Sequence, residues 1–236
     1  DTLYPTQNAV KTYVDGKTFN PQFWLVDKLP KVGSINFITA AISGGTFFGG
    51  SNPNAGSFKT MLGIGITSGT SANGGARIKT ESQTTLRPIT GLSFYCAFNL
   101  TQTTRNNVVK IGFFNTTENV TAVTDGFWLQ INTASATLNT ANGSVTTQSS
   151  SSTLVASTNY ECLVEYVSST EVKCKIKEIL TGTVVFNQTV TTNIPTTAKS
   201  FGAGLIATIT TAGVTSGVVS VQEMSFGIKP NYLNDF

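Results

Sequence analysis

The side chains available for acid–base chemistry are limited in this chain. Its 236 residues include no histidine, which excludes Ser-His-Asp catalysis, Cys-His catalysis and zinc sites that need imidazole. The 12 carboxylates remain, and a glycosidase needs two such groups across a sugar. No two of them form a recognisable catalytic strand motif, so we predict a protein that is not an enzyme, with no catalytic residue and no cofactor.

One strand-like segment carries a candidate binding face. Alternation along 126–132 separates three apolar residues, expected in a core, from an indole and two amides on the opposite face. The apolar set is Phe127, Leu129 and Ile131, and the opposite set is Trp128, Gln130 and Asn132. An indole beside two amides could stack on a sugar ring and bind its hydroxyls, and Arg105 could add donors near one end. Alternatively, loops or another subunit cover this face.

A metal site is not expected. Asp125 and Glu118 flank the loop before Trp128 and could contribute oxygen ligands. Calcium usually requires several carboxylate or carbonyl oxygens close together, and the chain has no Asp-rich run of the EF-hand kind. We therefore predict that no metal is bound.

Two consecutive alternating segments predict a β-hairpin. A turn centred on Ser169 would place Glu165 opposite Lys173 and Glu161 opposite Lys177, which are two favourable cross-strand pairs. The charged side chains would then share the solvent face, and the apolar ones would face the core.

The three cysteines are predicted to be buried, unbridged thiols. The hairpin register sets Cys162 opposite Ile176 and Cys174 opposite Val164, so the two cysteines are diagonal neighbours and a disulfide is not expected. Cys96 alternates with apolar residues in the same way. Unpaired thiols fit assembly in a reducing cytosol.

The composition argues against two classes of partner. Charged residues make up 11% of the chain and the net charge is +3, without a run of Lys or Arg, so we expect no nucleic-acid binding. No apolar run approaches the roughly 18 residues of a membrane span, so we expect no membrane insertion.

The chain is predicted to be an all-β, two-sheet antiparallel jelly-roll-like sandwich preceded by a short N-terminal helix. Thr and Val suit pleated sheets, and good helix formers are scarce. A helical connector is expected at 1–18, and one sandwich domain at 19–236. The Ser/Thr-rich stretch 146–153 is predicted to be a flexible loop. The expected strands are 23–28, 34–42, 59–66, 75–81, 92–100, 107–114, 126–132, 160–167, 171–180, 182–190, 203–211 and 218–228.

The helix is predicted at 5–16, with Thr6 as its N-terminal cap and Gly16 in the closing position. Its apolar face needs a neighbour, because about ten residues are too few for a stable isolated helix. That face consists of Ala9, Val10, Tyr13 and Val14. Spacing alone leaves two neighbours open: the protein's own domain and another subunit.

The first fifteen residues contain the sequence YPTQNAVKTYVD, which resembles the YPTxxAVKxYVD segment of tail-fibre and other appendage proteins of tailed bacteriophages. The resemblance implies a helix at the three-fold axis of a homotrimeric fibre, with Ala9, Val10, Tyr13 and Val14 against their symmetry mates. It also implies a virion location, with assembly in the host cytoplasm.

The remaining chain resembles concanavalin/laminin-G jelly rolls at 125–129 and in the strand 218–228. That resemblance implies glycan recognition and supplies no catalytic residue. The leading hypothesis is a phage virion module that binds a host cell-surface glycan or protein receptor. The alternatives are a carbohydrate-binding module of a bacterial secreted enzyme, which would be monomeric, and a structural decoration domain, which would trimerise without binding glycan. A depolymerase is a fourth, for which no carboxylate pair stands out.

Overall fold

The computed structural model describes the backbone of residues 31–36, 45–48, 55–60, 63–68, 75–79, 86–100, 107–115, 123–209 and 218–228. These residues form sixteen strands and no helix. In chain order the strands are β1 Lys31–Asn36, β2 Gly45–Phe48, β3 Ala55–Thr60, β4 Gly63–Ser68, β5 Gly75–Lys79, β6 Leu92–Leu100, β7 Asn107–Phe114, β8 Gly126–Asn132, β9 Ser135–Asn142, β10 Val145–Gln148, β11 Ser152–Thr153, β12 Asn159–Ser168, β13 Glu171–Glu178, β14 Val184–Val190, β15 Gly202–Ile209 and β16 Val218–Ile228.

The strands form two antiparallel sheets. The first sheet has the order β14-β13-β12-β6-β16-β4-β3, with β1 also paired to β16. The second sheet has the order β10-β9-β8-β7-β15-β5-β2, with β11 also paired to β9. The predicted all-β, two-sheet antiparallel sandwich is confirmed. The predicted helix, the strand at 23–28 and the boundary after residue 18 lie outside the described residues.

No helix among the described residues is long and apolar enough to cross a membrane.

Aromatic rings from both sheets meet in the core. Phe127 is central, with its ring centroid 4.9 Å from that of Phe113 on β7 and 5.7 Å from that of Tyr166 on β12. Phe113 also makes an edge-on contact with Phe94 on β6, at 5.7 Å between centroids. Each of these pairs is expected to add about 0.5–1.5 kcal/mol to the contribution from buried area. The core therefore holds β8 in place from the inside.

The hairpin formed by β12 and β13 has the predicted register. Glu165 pairs with Lys173 and Glu161 with Lys177, and a bulge between Tyr166 and Ser168 shortens the turn. Glu161 differs from the expectation of a solvated face, because it is buried and its carboxylate accepts a hydrogen bond from the Tyr95 hydroxyl at 3.1 Å. Burial and the nearby Glu161 raise the pKa of Tyr95.

All three cysteines are free and buried, as predicted. Cys96 on β6 lies directly opposite Cys162 on β12, a pairing that the hairpin alone does not reveal. Burial, together with the neighbouring Cys162, raises the pKa of the Cys96 thiol. Burial also raises the pKa of the Cys174 thiol, so both groups are held as thiols rather than as reactive thiolates.

One strand and one loop expected from the sequence differ in the structure. The single strand expected at 59–66 is split between β3 and β4, which turn into a hairpin where Thr60 pairs with Gly63. The loop expected at 146–153 is partly strand, because β10 and β11 both pair with β9. Threonine is β-branched and suits a pleated sheet, so a Ser/Thr-rich stretch pairs readily beside an available edge.

We predict that Gly112→Ala destabilises the fold severely. Gly112 has a φ of +144°, and a Cβ atom there would lie 2.7 Å from the Phe127 carbonyl oxygen and 2.9 Å from Trp128 Cα. The loss in free energy of unfolding should be about 3 kcal/mol or more, measured by urea denaturation.

Gly182→Ala is the matched control. Gly182 also has positive φ, +70°, but a Cβ atom there would meet nothing within 4 Å, so the loss in free energy of unfolding should be about 1 kcal/mol. Equal losses of stability in the two variants would show that glycine at position 112 is not required by the close approach of β7 and β8.

Candidate functional site

A groove of about 510 Å³ lies on the outer face of the second sheet, the face turned away from the core. We call it the outer groove. Its floor includes Trp128 and Gln130 of β8, Lys110 of β7 and Asn139 of β9, and exposed residues of the β9–β10 turn and of β10 form one wall. The wall residues are Ser144, Thr146 and Gln148.

The indole of Trp128 belongs to an apolar cluster on this outer face. The other members are Phe114, Val123, Ala141 and Ile206. Two glycines lie beside Trp128 in the sheet, because Trp128 pairs with Gly112, which in turn pairs with Gly204. The absence of two side chains in that row leaves space for the large ring. Only 3% of Trp128 is exposed, so the groove meets a limited part of the indole rather than an open ring face.

The indole N–H is satisfied within the site. Trp128 Nε1 donates to Gln130 Oε1 at 3.4 Å. The amide nitrogen of Gln130 is then the donor that this side chain can offer to a ligand.

Lys110 places a cation in the outer groove. Lys110 is 5% exposed, and its Nζ atom lies 5.7 Å from the centroid of the Trp128 ring. A cation over an indole face is attracted by the ring quadrupole. Burial disfavours the charged form and lowers the pKa of Lys110 to about 8. Lys110 is therefore mostly protonated at neutral pH.

Two amides at the groove are held in fixed orientations by Thr137. Asn139 Nδ2 donates to the Thr137 carbonyl at 3.2 Å and to its hydroxyl at 3.0 Å. Gln148 Nε2 donates to the same hydroxyl at 2.9 Å. Because both nitrogens point to Thr137, the amide oxygens are the groups that can accept hydrogen bonds from a ligand.

Asp125 anchors the loops beside the groove. Its carboxylate accepts hydrogen bonds from the Gly143 amide at 2.8 Å and from Asn115 Nδ2 at 3.1 Å, and it pairs with Lys199 Nζ at 2.9 Å. Burial disfavours the charged carboxylate, but the Gly143 hydrogen bond and Lys199 outweigh it and keep the pKa of Asp125 below its usual value. Asp125 thus ties together the approach to β8, the β9–β10 turn and the segment before β15.

These contacts also bear on the calcium possibility. Within the described part of the chain, no group of three or more Cys, Asp or Glu side chains could hold a metal ion. Asp125 is engaged by Lys199, and Glu118 lies outside the described residues.

The structure brings together two of the four predicted binding residues. Trp128 and Gln130 line the outer groove, whereas Asn132 is exposed at the end of β8 and is not among the lining residues. Arg105 lies outside the described residues, as do Ala9, Val10, Tyr13 and Val14 of the predicted trimer contact.

Sequence reasoning missed Lys110, Asn139 and Gln148. For Lys110 there was a signal, because alternation between buried Val109 and Ile111 places it on the outer face of β7. Asn139 lies in β9, a strand that was not predicted. Gln148 lies in the stretch expected to be a loop.

We predict that Lys110 makes the stability of the fold rise with pH. Its pKa is about 8 in the folded protein and near 10.5 when unfolded, so the unfolded state binds more protons between these values. Relative to Lys110→Met, the free energy of unfolding of the unmodified protein should rise by about 2 kcal/mol between pH 7 and pH 9.5. Urea denaturation of both proteins at the two pH values measures this. A constant difference would mean that Lys110 is not desolvated.

Several solved structures are similar to this chain in fold. The protein SO2946 of Shewanella oneidensis MR-1 is 20% identical, with a TM-score of 0.62 over 86% of this chain and 88% of that chain. A legume lectin-like domain from Entamoeba histolytica is 9% identical, with a TM-score of 0.52 over 74% and 86% of the two chains.

A third similar structure is the CBM2 module of the evolved Dit of Lactobacillus casei BL23 phage J-1. It is 12% identical, with a TM-score of 0.56 over 87% of this chain and 98% of that chain. At these identities the likeness shows a shared fold.

No curated protein sequence matches the chain. Residues 62–222 match the family described as SO2946-like, C-terminal domain. Because that match spans more than half of the chain, the protein belongs to the SO2946-like C-terminal domain family.

Proposed function

We propose that this domain is a non-enzymatic module that binds a glycan in the outer groove. The observation that carries the proposal is a groove floored by an indole and lined by oriented amides and hydroxyls, on a fold shared with a lectin-like domain and a carbohydrate-binding module. Its volume of about 510 Å³ falls in the usual range for small-ligand sites.

The polar groups of the groove complement a sugar. The amide oxygens of Asn139 and Gln148 can accept hydrogen bonds from sugar hydroxyls, and the amide nitrogen of Gln130 can donate to hydroxyl or ring oxygens. The exposed part of Trp128 offers apolar contact to the C–H groups of the ring. Because Thr137 already orients two of the amides, binding would immobilise few further side chains.

The groove chemistry favours binding over hydrolysis. A glycosidase needs an acid and a second carboxyl group on either side of the scissile bond. The described residues that line the groove offer amides, hydroxyls and one ammonium group. The nearby carboxylate of Asp125 is committed to Lys199 and Gly143.

The N-terminal segment supports a place in a phage virion. YPTQNAVKTYVD resembles the segment of phage appendage proteins, and this fold occurs in a module of a phage protein. We propose a homotrimeric appendage, assembled in the host cytoplasm, whose receptor is a host cell-surface glycan. Three grooves on one trimer would raise the apparent affinity for a repeating surface polymer. Monomeric protein that still binds glycan would instead fit a module of a bacterial secreted protein.

We predict that Gln148→Ala weakens glycan binding. The side chain is exposed on the groove wall, so its loss should remove a ligand hydrogen bond without cost to the core. A glycan array identifies a ligand, and calorimetric titration should then show a Kd about 5- to 10-fold weaker for the variant.

Asn187→Ala is the matched control, because Asn187 is an exposed residue on β14 of the first sheet. It should bind the same glycan with unchanged Kd. An equal loss in both variants, or none in Gln148→Ala, would place the site elsewhere.

We predict that the full chain is a trimer held by the helix expected at 5–16. Light scattering should give about 75 kDa, three times the 24.9 kDa of one chain. Val10→Asp, on the predicted apolar face, should lower the mass to that of a monomer, while Lys11→Glu, off that face, should not. A monomeric unmodified chain would contradict the trimer and favour the bacterial module.

A further inference from the structure

Lys110 is a buried cation within the second sheet. It lies in the middle of β7, paired with Gln130 of β8 on one side and Ile206 of β15 on the other. The residue is 95% buried, yet it contributes to the lining of the outer groove. Its ammonium group is therefore largely removed from bulk water while remaining next to the space that a ligand would occupy.

A cation in this position favours an anion more than a surface lysine does. On an exposed side chain, water screens the charge and pairing costs side-chain entropy, so the net gain is small. For Lys110, folding has already removed most of the water and fixed the side chain among its neighbours. Charges also attract each other more strongly at the lower effective dielectric of a partly buried site. The lowered pKa agrees with this desolvation.

The described lining of the outer groove carries no negative charge. Among the described residues that line the outer groove, Lys110 carries the only formal charge. The carboxylate of Asp125, which anchors the loops beside the groove, is paired with Lys199 Nζ at 2.9 Å. In the next strand along the sheet, Arg77 of β5 occupies the register position opposite Ile206.

We propose that the outer groove selects glycans that carry an anionic substituent, a carboxylate, sulfate or phosphate, which accepts a hydrogen bond from Lys110 Nζ. This inference rests on the proposed glycan-binding function and names its ligand class. Sugar hydroxyls would donate to the amide oxygens of Asn139 and Gln148, so the groove would recognise the anionic substituent and the hydroxyls of the sugar ring at the same time. An oligosaccharide without the acid would use the amides alone.

The test uses the full chain and glycans in matched pairs. The array carries neutral glycans beside their sialylated, uronic, sulfated and phosphorylated counterparts, and each responding pair is titrated by calorimetry at low and high salt. The anionic member should bind about tenfold or more tightly than its neutral partner, with the difference shrinking as salt rises. Which acid responds best identifies whether a carboxylate or a sulfate/phosphate ester is the natural group.

The outcomes separate the two proposals. Equal binding of both members of every pair would overturn selection for acid and leave glycan binding intact. If the protein binds neither member of any pair, the proposed glycan-binding function itself is contradicted. Tighter binding of the neutral members would assign Lys110 a structural role over the Trp128 ring.

Lys110→Met tests the residue, because it retains much of the apolar stem and removes the charge. It should lose about tenfold in affinity for the anionic member, which removes most of the difference in Kd between the two members of a pair. Lys173→Met is the matched control: it makes the same change in net charge on the first sheet, where the Lys173 side chain is 49% exposed and pairs with Glu171. An equal loss in both variants would indicate a general charge effect and contradict the assignment.

The unmodified protein decides the matter if Lys110→Met does not fold. Affinity for the anionic member should fall as the pH rises from 7 to 9.5, because Lys110 loses its proton above about 8 and the described neighbours on β8 and β15 are not titratable. Those neighbours are Trp128, Gln130, Ile206 and Thr208, and Arg77 of β5 stays charged throughout. The neutral member of each pair serves as the pH control, and its affinity should not fall with pH in the same way. An affinity that does not change with pH would overturn the role of Lys110.

Discussion

Side-chain alternation along β8 ties the sandwich core to the outer groove. Phe127, Leu129 and Ile131 are fully buried between the sheets, so Trp128 and Gln130 must face outward. A slip of one residue would place the indole in the core and remove the contacts of Phe127 with the aromatic rings around it. The energy that fixes the groove floor therefore comes from the opposite side of the same strand.

The outer face adds a second constraint, which is space. Trp128 pairs with Gly112, and Gly112 pairs with Gly204, so two neighbouring strands present no side chain in the row that the indole occupies. The ring packs into an apolar cluster and leaves only a small part to the groove. Recognition by this surface would therefore rest more on oriented amides and on one buried cation than on an open stacking platform.

Strands with a strong apolar alternation could be located from the sequence. The ranges predicted at 92–100, 107–114 and 126–132 agree with the bounds of β6, β7 and β8. β9 could not be predicted in this way, because its residues are mostly Thr, Asn, Ala and Ser, and distant partners satisfy them. The Thr140 hydroxyl donates to the Thr192 carbonyl at 2.8 Å, and Asn142 Nδ2 donates to the Ile194 carbonyl at 3.2 Å.

The same limit applies to the site. Alternation placed Trp128 and Gln130 correctly on one face, but Asn139 depends on a strand that only tertiary pairing creates. Lys110 could be assigned to the outer face, yet its position beside Gln130 depends on a register that is not specified by the long connection from β7 to β8. The burial of Trp128 follows from Gly112 on the preceding strand and from Gly204 on the distant strand β15, and residue spacing alone does not place these two glycines beside it.

The most direct test of the account follows the indole N–H of Trp128 by ¹⁵N NMR while glycans are added to the full chain. Trp128 and Trp24 are the 2 tryptophans, so Trp24→Phe assigns the resonance. Because Trp128 Nε1 donates to Gln130 in the groove floor, a bound glycan should shift this resonance in a saturable way. A glycan that binds by calorimetry but leaves the Trp128 resonance unmoved would contradict the outer groove as the binding site.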